Sequence, residues 1–146
     1  MDRNAARRAF DAAQAVEVPA FGNFFLSRFF GLEISYPVEG RCVVETEVQD
    51  YMLNPQGMLH GGVTAFLLDV SMGHLVNHAG GGPGVTLEMK TQYLRAVQAG
   101  PVRCEAAFLK PGRRLAFLES RLTGADGKLA AMSTATFTMA GFAQST

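Results

Sequence analysis

The chain predicts an α+β fold in which one antiparallel sheet is wrapped around one long central helix, and three features carry that expectation. From His60 to about His78 the apolar residues Val63, Phe66, Leu67, Leu68, Val70, Met72, Leu75 and Val76 fall on every side of a helix. A helix apolar on every side is buried on every side. After it come four strand-like runs separated by short turn signals. The order, a small helix, strands, the long helix and then four strands, describes one sheet with one principal helix rather than alternating βα units.

Residues 3–16 alternate charge with alanine as an amphipathic helix. The aromatic stretch 18–31 is broken by Pro19 and Gly22 and reads as a short helix or turn packed on the body. Residues 32–36 begin a strand, Pro37 to Gly40 a turn, and 41–49 ("RCVVETEVQ") a strand with rough alternation. The loop "YMLNPQGM" follows, with Asn-Pro as its turn signal, and "HAGGGPG" ends the long helix with four glycines and a proline. The later strands are expected at about 84–95, 101–110, 114–123 and 128–139, broken by Ala99-Gly100, Pro111-Gly112 and Gly124–Gly127. Short turns between regularly spaced strands predict an antiparallel meander.

The 146 residues suit one domain. At 48% hydrophobic, with eleven Phe and no Trp, the chain can bury a large core and line an apolar cleft. Thirteen basic residues balance thirteen acidic ones, so the basic excess of a nucleic-acid-binding surface is missing. No apolar run reaches the roughly 18 residues of a spanning helix, and the N-terminus lacks the apolar core of a signal peptide. No membrane or nucleic-acid partner is expected, and the protein is placed in the cytosol. There the two strand cysteines, Cys42 and Cys104, are expected to be reduced.

The chemistry-bearing stretch is "NPQGMLHGGVTAFLLD", in which Asp69 sits between Leu68 and Val70. Asn54, Gly57, the His60-Gly61-Gly62 turn, Asp69 and the strand "GVTLEMKTQYLR" together resemble the hotdog-fold acyl-CoA thioesterases of the PaaI-like (phenylacetic acid degradation) branch. The likeness runs from about residue 20 to 140. It implies a single hotdog domain over 1–146, with 1–30 an N-terminal helical segment and 31–141 the core. It implies Asp69 as the catalytic carboxylate, Gly61 as the amide that polarises the thioester carbonyl, and His60 and Asn54 as residues that shape that turn. Thr86 would place a hydroxyl near the attacking water. Asn54 also reads as a plain turn residue before Pro55, and Thr86 as an ordinary strand threonine.

Helix geometry adds an expectation of its own. Nine residues at about 100° each put His60 and Asp69 half a turn out of alignment, with about 13.5 Å of rise between them. One chain cannot bring both to one small substrate. A shared site then needs two copies related by a two-fold axis, as the resemblance to sheet-joined dimers, or dimers of dimers, also implies. An amide at a helix start lacks an intrahelical partner and lies at the positive end of the dipole. Asp69 is read as general base on water or as nucleophile, with the base favoured because Thr86 could hold a water.

Arg95 at a strand end, with Lys110, Arg113 and Arg114 around the Pro111-Gly112 turn, are candidates for the phosphates of coenzyme A, or are solvated turn charges. No cofactor is expected, coenzyme A being part of the substrate. His74 and His78 share a helix face at a spacing that can bind metal, but no third ligand stands where a zincin-type motif needs one, so no metal is expected. The readings left beside hydrolysis are a non-catalytic acyl-CoA-binding protein and a hotdog dehydratase or hydratase.

Overall fold

A computed structural model describes residues 1–140, which leaves position 141 of the expected core outside the described residues. Its organising element is α3 (Gly61–Gly80), following α1 (Arg3–Gln14) and α2 (Phe25–Phe29). Around α3 runs a six-stranded antiparallel sheet, β1 (Glu33–Ser35), β2 (Arg41–Val48), β3 (Thr86–Tyr93), β4 (Gly100–Lys110), β5 (Leu115–Thr123) and β6 (Leu129–Thr138). This is the hotdog arrangement.

His60 caps the helix start: its backbone is extended and its Nδ1 accepts the Gly62 N–H at 2.9 Å. At the other end Gly81 turns left-handed at φ 69° and donates its N–H to the Asn77 carbonyl, a conformation that costs glycine nothing. Between these caps Leu67, Leu68, Met72, Leu75 and Val76 are buried, but the helix is not buried on every side as expected: Val63 and Phe66 are only half-buried, as are Asp69 and Gly73 on the face that borders a cavity. The sheet meets the helix with small residues, Ala116, Ser120, Ala131, Ser133 and Ala135, so the two backbones approach closely. Ser71, buried on α3, shares a 2.7 Å hydrogen bond with Ser120 and donates to the Leu68 carbonyl, so neither hydroxyl is orphaned. Along β5 the alternation is plain: Ala116, Leu118, Ser120 and Leu122 face the helix while Leu115, Phe117 and Arg121 face out.

The expected meander of four strands is corrected. The order across the sheet is β1-β2-β4-β5-β6-β3. Only β4, β5 and β6 form a meander; β3 pairs with β6, and β4 with β2. The reason lies in residues 94–99. Leu94 and Arg95 both donate to the Ala130 carbonyl, and the Val97 carbonyl accepts the Leu59 N–H at 2.6 Å. The segment is thereby drawn across the start of α3 and delivers β4 to the interior of the sheet, between β2 and β5, so Ala99-Gly100 closes no hairpin. As a result β3 becomes an edge strand, with Val85, Leu87, Tyr93 and Leu94 exposed on it and beside it.

Cys42 and Cys104 lie on adjacent strands as free, buried thiols. Burial pushes the Cys42 thiol up to about 12 and that of Cys104 higher still, which leaves both unreactive. Among the described residues no helix is long and apolar enough to cross a membrane.

Candidate active site

Asp69 emerges half-buried from the middle of α3 toward the start of β3. Thr86, the first residue of β3, donates its hydroxyl to Asp69 Oδ1 at 2.8 Å. This bond holds one carboxylate oxygen and fixes the rotamer. Both residues line a cavity of about 480 Å³ whose other walls are mostly apolar: Phe66, Val70 and Gly73 from α3, Phe137 from β6, and the segment from Pro19 to Phe24. His74 completes the wall. Its Nε2 accepts the Gly22 N–H at 2.9 Å and its Nδ1 donates to the Val70 carbonyl at 2.9 Å, which defines the neutral tautomer. Burial lowers the His74 pKa, and with both ring nitrogens engaged it has no lone pair for a metal. His78 instead stacks its ring on Tyr36. Among the described residues no cluster of three or more His, Cys, Asp or Glu could hold a metal ion.

The helix-start residues line a different cavity. Asn54, Gly61, Thr64, Tyr93 and Arg95 surround a space of about 360 Å³ and share no residue with the first. Asn54 builds the loop below it: its Oδ1 accepts the N–H groups of Gln56 and Met58, and Gly57 completes the turn at φ 80°. The exposed His60 turns its ring onto Gly62. That leaves the Gly61 N–H without an acceptor among the described residues. Tyr93 donates its hydroxyl to the Gly61 carbonyl at 2.8 Å, and its ring covers the Gly61 Cα. So Gly61 and Asp69 both contact β3, but at its opposite ends.

The cations divide in the same way. Arg95 lies at the Gly61 end, while Lys110, Arg113 and Arg114 lie where β4 turns into β5. The register Thr86↔Phe137↔Ala116 puts that turn at the Asp69 end, two strands in from the β3 edge. All four cations are exposed, and none forms an ion pair among the described residues.

Sequence reasoning missed two contributors, Tyr93 and His74. Tyr93 stood inside the quoted "QYLR", yet nothing local said that its hydroxyl reaches back to Gly61. His74 was weighed as a ligand and is a wall. Phe21 and Phe24 belong to the aromatic stretch that reads as core or pocket lining, and the structure makes them cavity wall; which cavity they line is not legible, because Asp69 lies about fifty residues away in sequence.

With this geometry in view, the chain can be set beside known proteins. Residues 56–131, just over half of the chain, match the thioesterase superfamily. The human acyl-coenzyme A thioesterase 13 is 38% identical over 95 residues, which is 63% of this chain and 68% of that protein. A variant of the phenylacetic acid degradation protein PaaI from Thermus thermophilus superposes with a TM-score of 0.72 at 30% identity, covering 78% of this chain and 97% of its own. The BH2602 protein from Bacillus halodurans, solved with CoA, superposes at 0.79 with 26% identity, covering 92% of this chain and 88% of its own.

Proposed function

The chain belongs to the thioesterase superfamily, and from that premise we propose that it hydrolyses acyl-coenzyme A thioesters to free acid and coenzyme A at sites completed by two copies of itself. The observation that carries the reading is the placing of Asp69 and the Gly61 amide at opposite ends of one exposed edge strand. An unpaired strand edge with apolar side chains along it is a template for another strand. Antiparallel pairing of β3 with β3 of a second copy, about a two-fold axis, brings the Thr86 end of each chain to the Tyr93 end of the other. Each site then joins the carboxylate of one chain to the amide of its twin.

In the reaction Asp69 takes a proton from water as the oxygen attacks the thioester carbonyl. Thr86 holds the carboxylate and offers its oxygen lone pairs to that water. The Gly61 N–H, without an acceptor among the described residues, donates to the oxyanion that forms. Collapse of the intermediate breaks the C–S bond, and the thiolate recovers the proton from Asp69. The general base is preferred to direct attack because Thr86 occupies one carboxylate oxygen and leaves the other to act on a water.

The same pairing places Arg95 of one chain and the Lys110–Arg114 turn of the other around one site, as the scattered phosphates of coenzyme A require. The CoA found with the Bacillus halodurans protein and the name of the human relative support that carrier. The enzyme needs no cofactor and works in the cytosol. Release of free thiol from acyl-CoA esters, compared between wild type and Asp69→Asn, tests the assignment: equal rates would remove Asp69 from the chemistry, and hydration of an enoyl-CoA without thiol release would point to a hydratase.

A further inference from the structure

Phe66, Asp69, Val70, Gly73 and His74 form the face that α3 turns to the Asp69 cavity, at helix positions i, i+3, i+4, i+7 and i+8. Gly73 alone on that face has no side chain, and nothing in the backbone demands glycine there. It lies in the regular interior of the helix, its φ is not positive, and among the described residues a Cβ would have as its one neighbour within 4 Å the ring edge of Phe137, at an ordinary 3.6 Å. Gly84, across the cavity, is the contrast: a Cβ there would fall 1.9 Å from the Thr138 carbonyl oxygen, so that glycine is obligatory for packing. In a helix interior glycine is disfavoured against alanine. Position 73 therefore forgoes helix stability and keeps open space one turn, about 6 Å, beyond the carboxylate.

The facing wall is anchored, so bulk at 73 cannot be absorbed by its retreat. Gly22 is tied to His74, and the rings of Phe21 and Phe24 stand 5.0 and 6.0 Å from the imidazole. Among the described residues the lining holds no Lys or Arg, and both His74 nitrogens are engaged, so nothing there receives an anionic acyl tail.

Resting on the hydrolase reading, we infer that Gly73 is the specificity-determining position of the acyl chamber. The space it leaves admits an uncharged apolar acyl group that runs past Asp69 beneath the Phe21–Phe24 wall. A side chain at 73 leans toward the preceding turn, which is Asp69 itself, and cuts the chamber off at that depth.

The test compares the full-length wild type with Gly73→Ala and Gly73→Val on acetyl-, hexanoyl-, decanoyl- and benzoyl-CoA, and also measures thermal midpoints. Gly73→Ala should raise the midpoint by about 2–4 °C, the size of a glycine-to-alanine gain in a chain of this length. Gly73→Val should lower the ratio of kcat/KM for hexanoyl- over acetyl-CoA by at least about tenfold, since a misfit methylene in an apolar pocket is worth roughly 10–200-fold. A uniform loss across the series, no change in the ratio, or a midpoint lowered by Gly73→Ala overturns the inference. Should the wild type release thiol from no ester, the hydrolase reading fails separately, and the chamber is judged by thermal shift with hexanoic and benzoic acids. A shift in the wild type that Gly73→Val abolishes supports the chamber; equal shifts in both proteins, or none in either, overturn it.

Discussion

Replacing Gly61 by proline deletes one N–H and little else. His60 sits at φ −61° and ψ 134°, the extended conformation that a residue before proline prefers. Gly61 is the first residue of α3, the helical position proline favours because its missing N–H would be unpaired there. A Cβ at 61 would meet the Tyr93 ring at 3.4 Å, an ordinary contact. The fold should therefore survive, with a thermal midpoint at or slightly above wild type, because proline restricts the unfolded chain. If this amide stabilises the oxyanion, kcat should fall by about 10²–10³, the usual loss for one such donor. The variant also tests the shared site. Gly61→Pro and Asp69→Asn, each nearly inactive alone, are refolded together at equal amounts. Half of randomly paired dimers are then mixed, and each mixed dimer has one intact site of two, so thiol release should return to about a quarter of the wild-type rate. A mixture no faster than its parents would mean that each site belongs to one chain, and the argument from the two ends of β3 would be lost. Turnover by Gly61→Pro within threefold of wild type would remove the amide from catalysis.

Thr86→Val, which keeps shape and removes the hydroxyl, should lower kcat by about 10–100-fold, the worth of a hydrogen bond to a charged group; Thr86→Ser should recover most of it, and an unimpaired Val variant would make Thr86 an ordinary strand residue. His74 is held neutral by burial, so its folded pKa lies below the unfolded value near 6.5. Its contribution to stability is complete above that unfolded value and declines as pH falls from there toward the folded pKa. Urea midpoints between pH 7.5 and 5 should therefore drop more for wild type than for His74→Gln, and parallel curves would contradict this. Arg95→Ala should raise KM for CoA esters severalfold while leaving KM for the matching pantetheine esters, which lack the nucleotide phosphates, unaltered; equal effects on both would place Arg95 elsewhere.

How much of this was legible in the chain depends on how far apart the partners lie. The all-apolar stretch 60–78, the glycine stop at 81 and the strands on either side were readable because helix burial, capping and alternation are local. The position of β3 was not, because the turn signal at Ala99-Gly100 is the same whether the chain reverses beside its neighbour or has first crossed the sheet. At the site, Asp69 and the His60-Gly61-Gly62 turn stood out as costly choices for a buried helix. Thr86 stood out only through the resemblance, and its bond to Asp69 depends on how the glycine-rich loop between α3 and β3 folds.

The sequence by itself determined the elements and the chemical groups: a helix that must be buried, a carboxylate inside it, and an amide freed at its start, since each follows from residues within a few positions of one another. Only the tertiary structure decided that Asp69 opens into an aromatic-walled cavity while Gly61 faces another, and that an exposed strand edge links the two. Those outcomes depend on which strand reaches the edge and on where the Pro19–Phe24 segment comes to rest, contacts between distant parts of the chain that are selected by packing against the whole core.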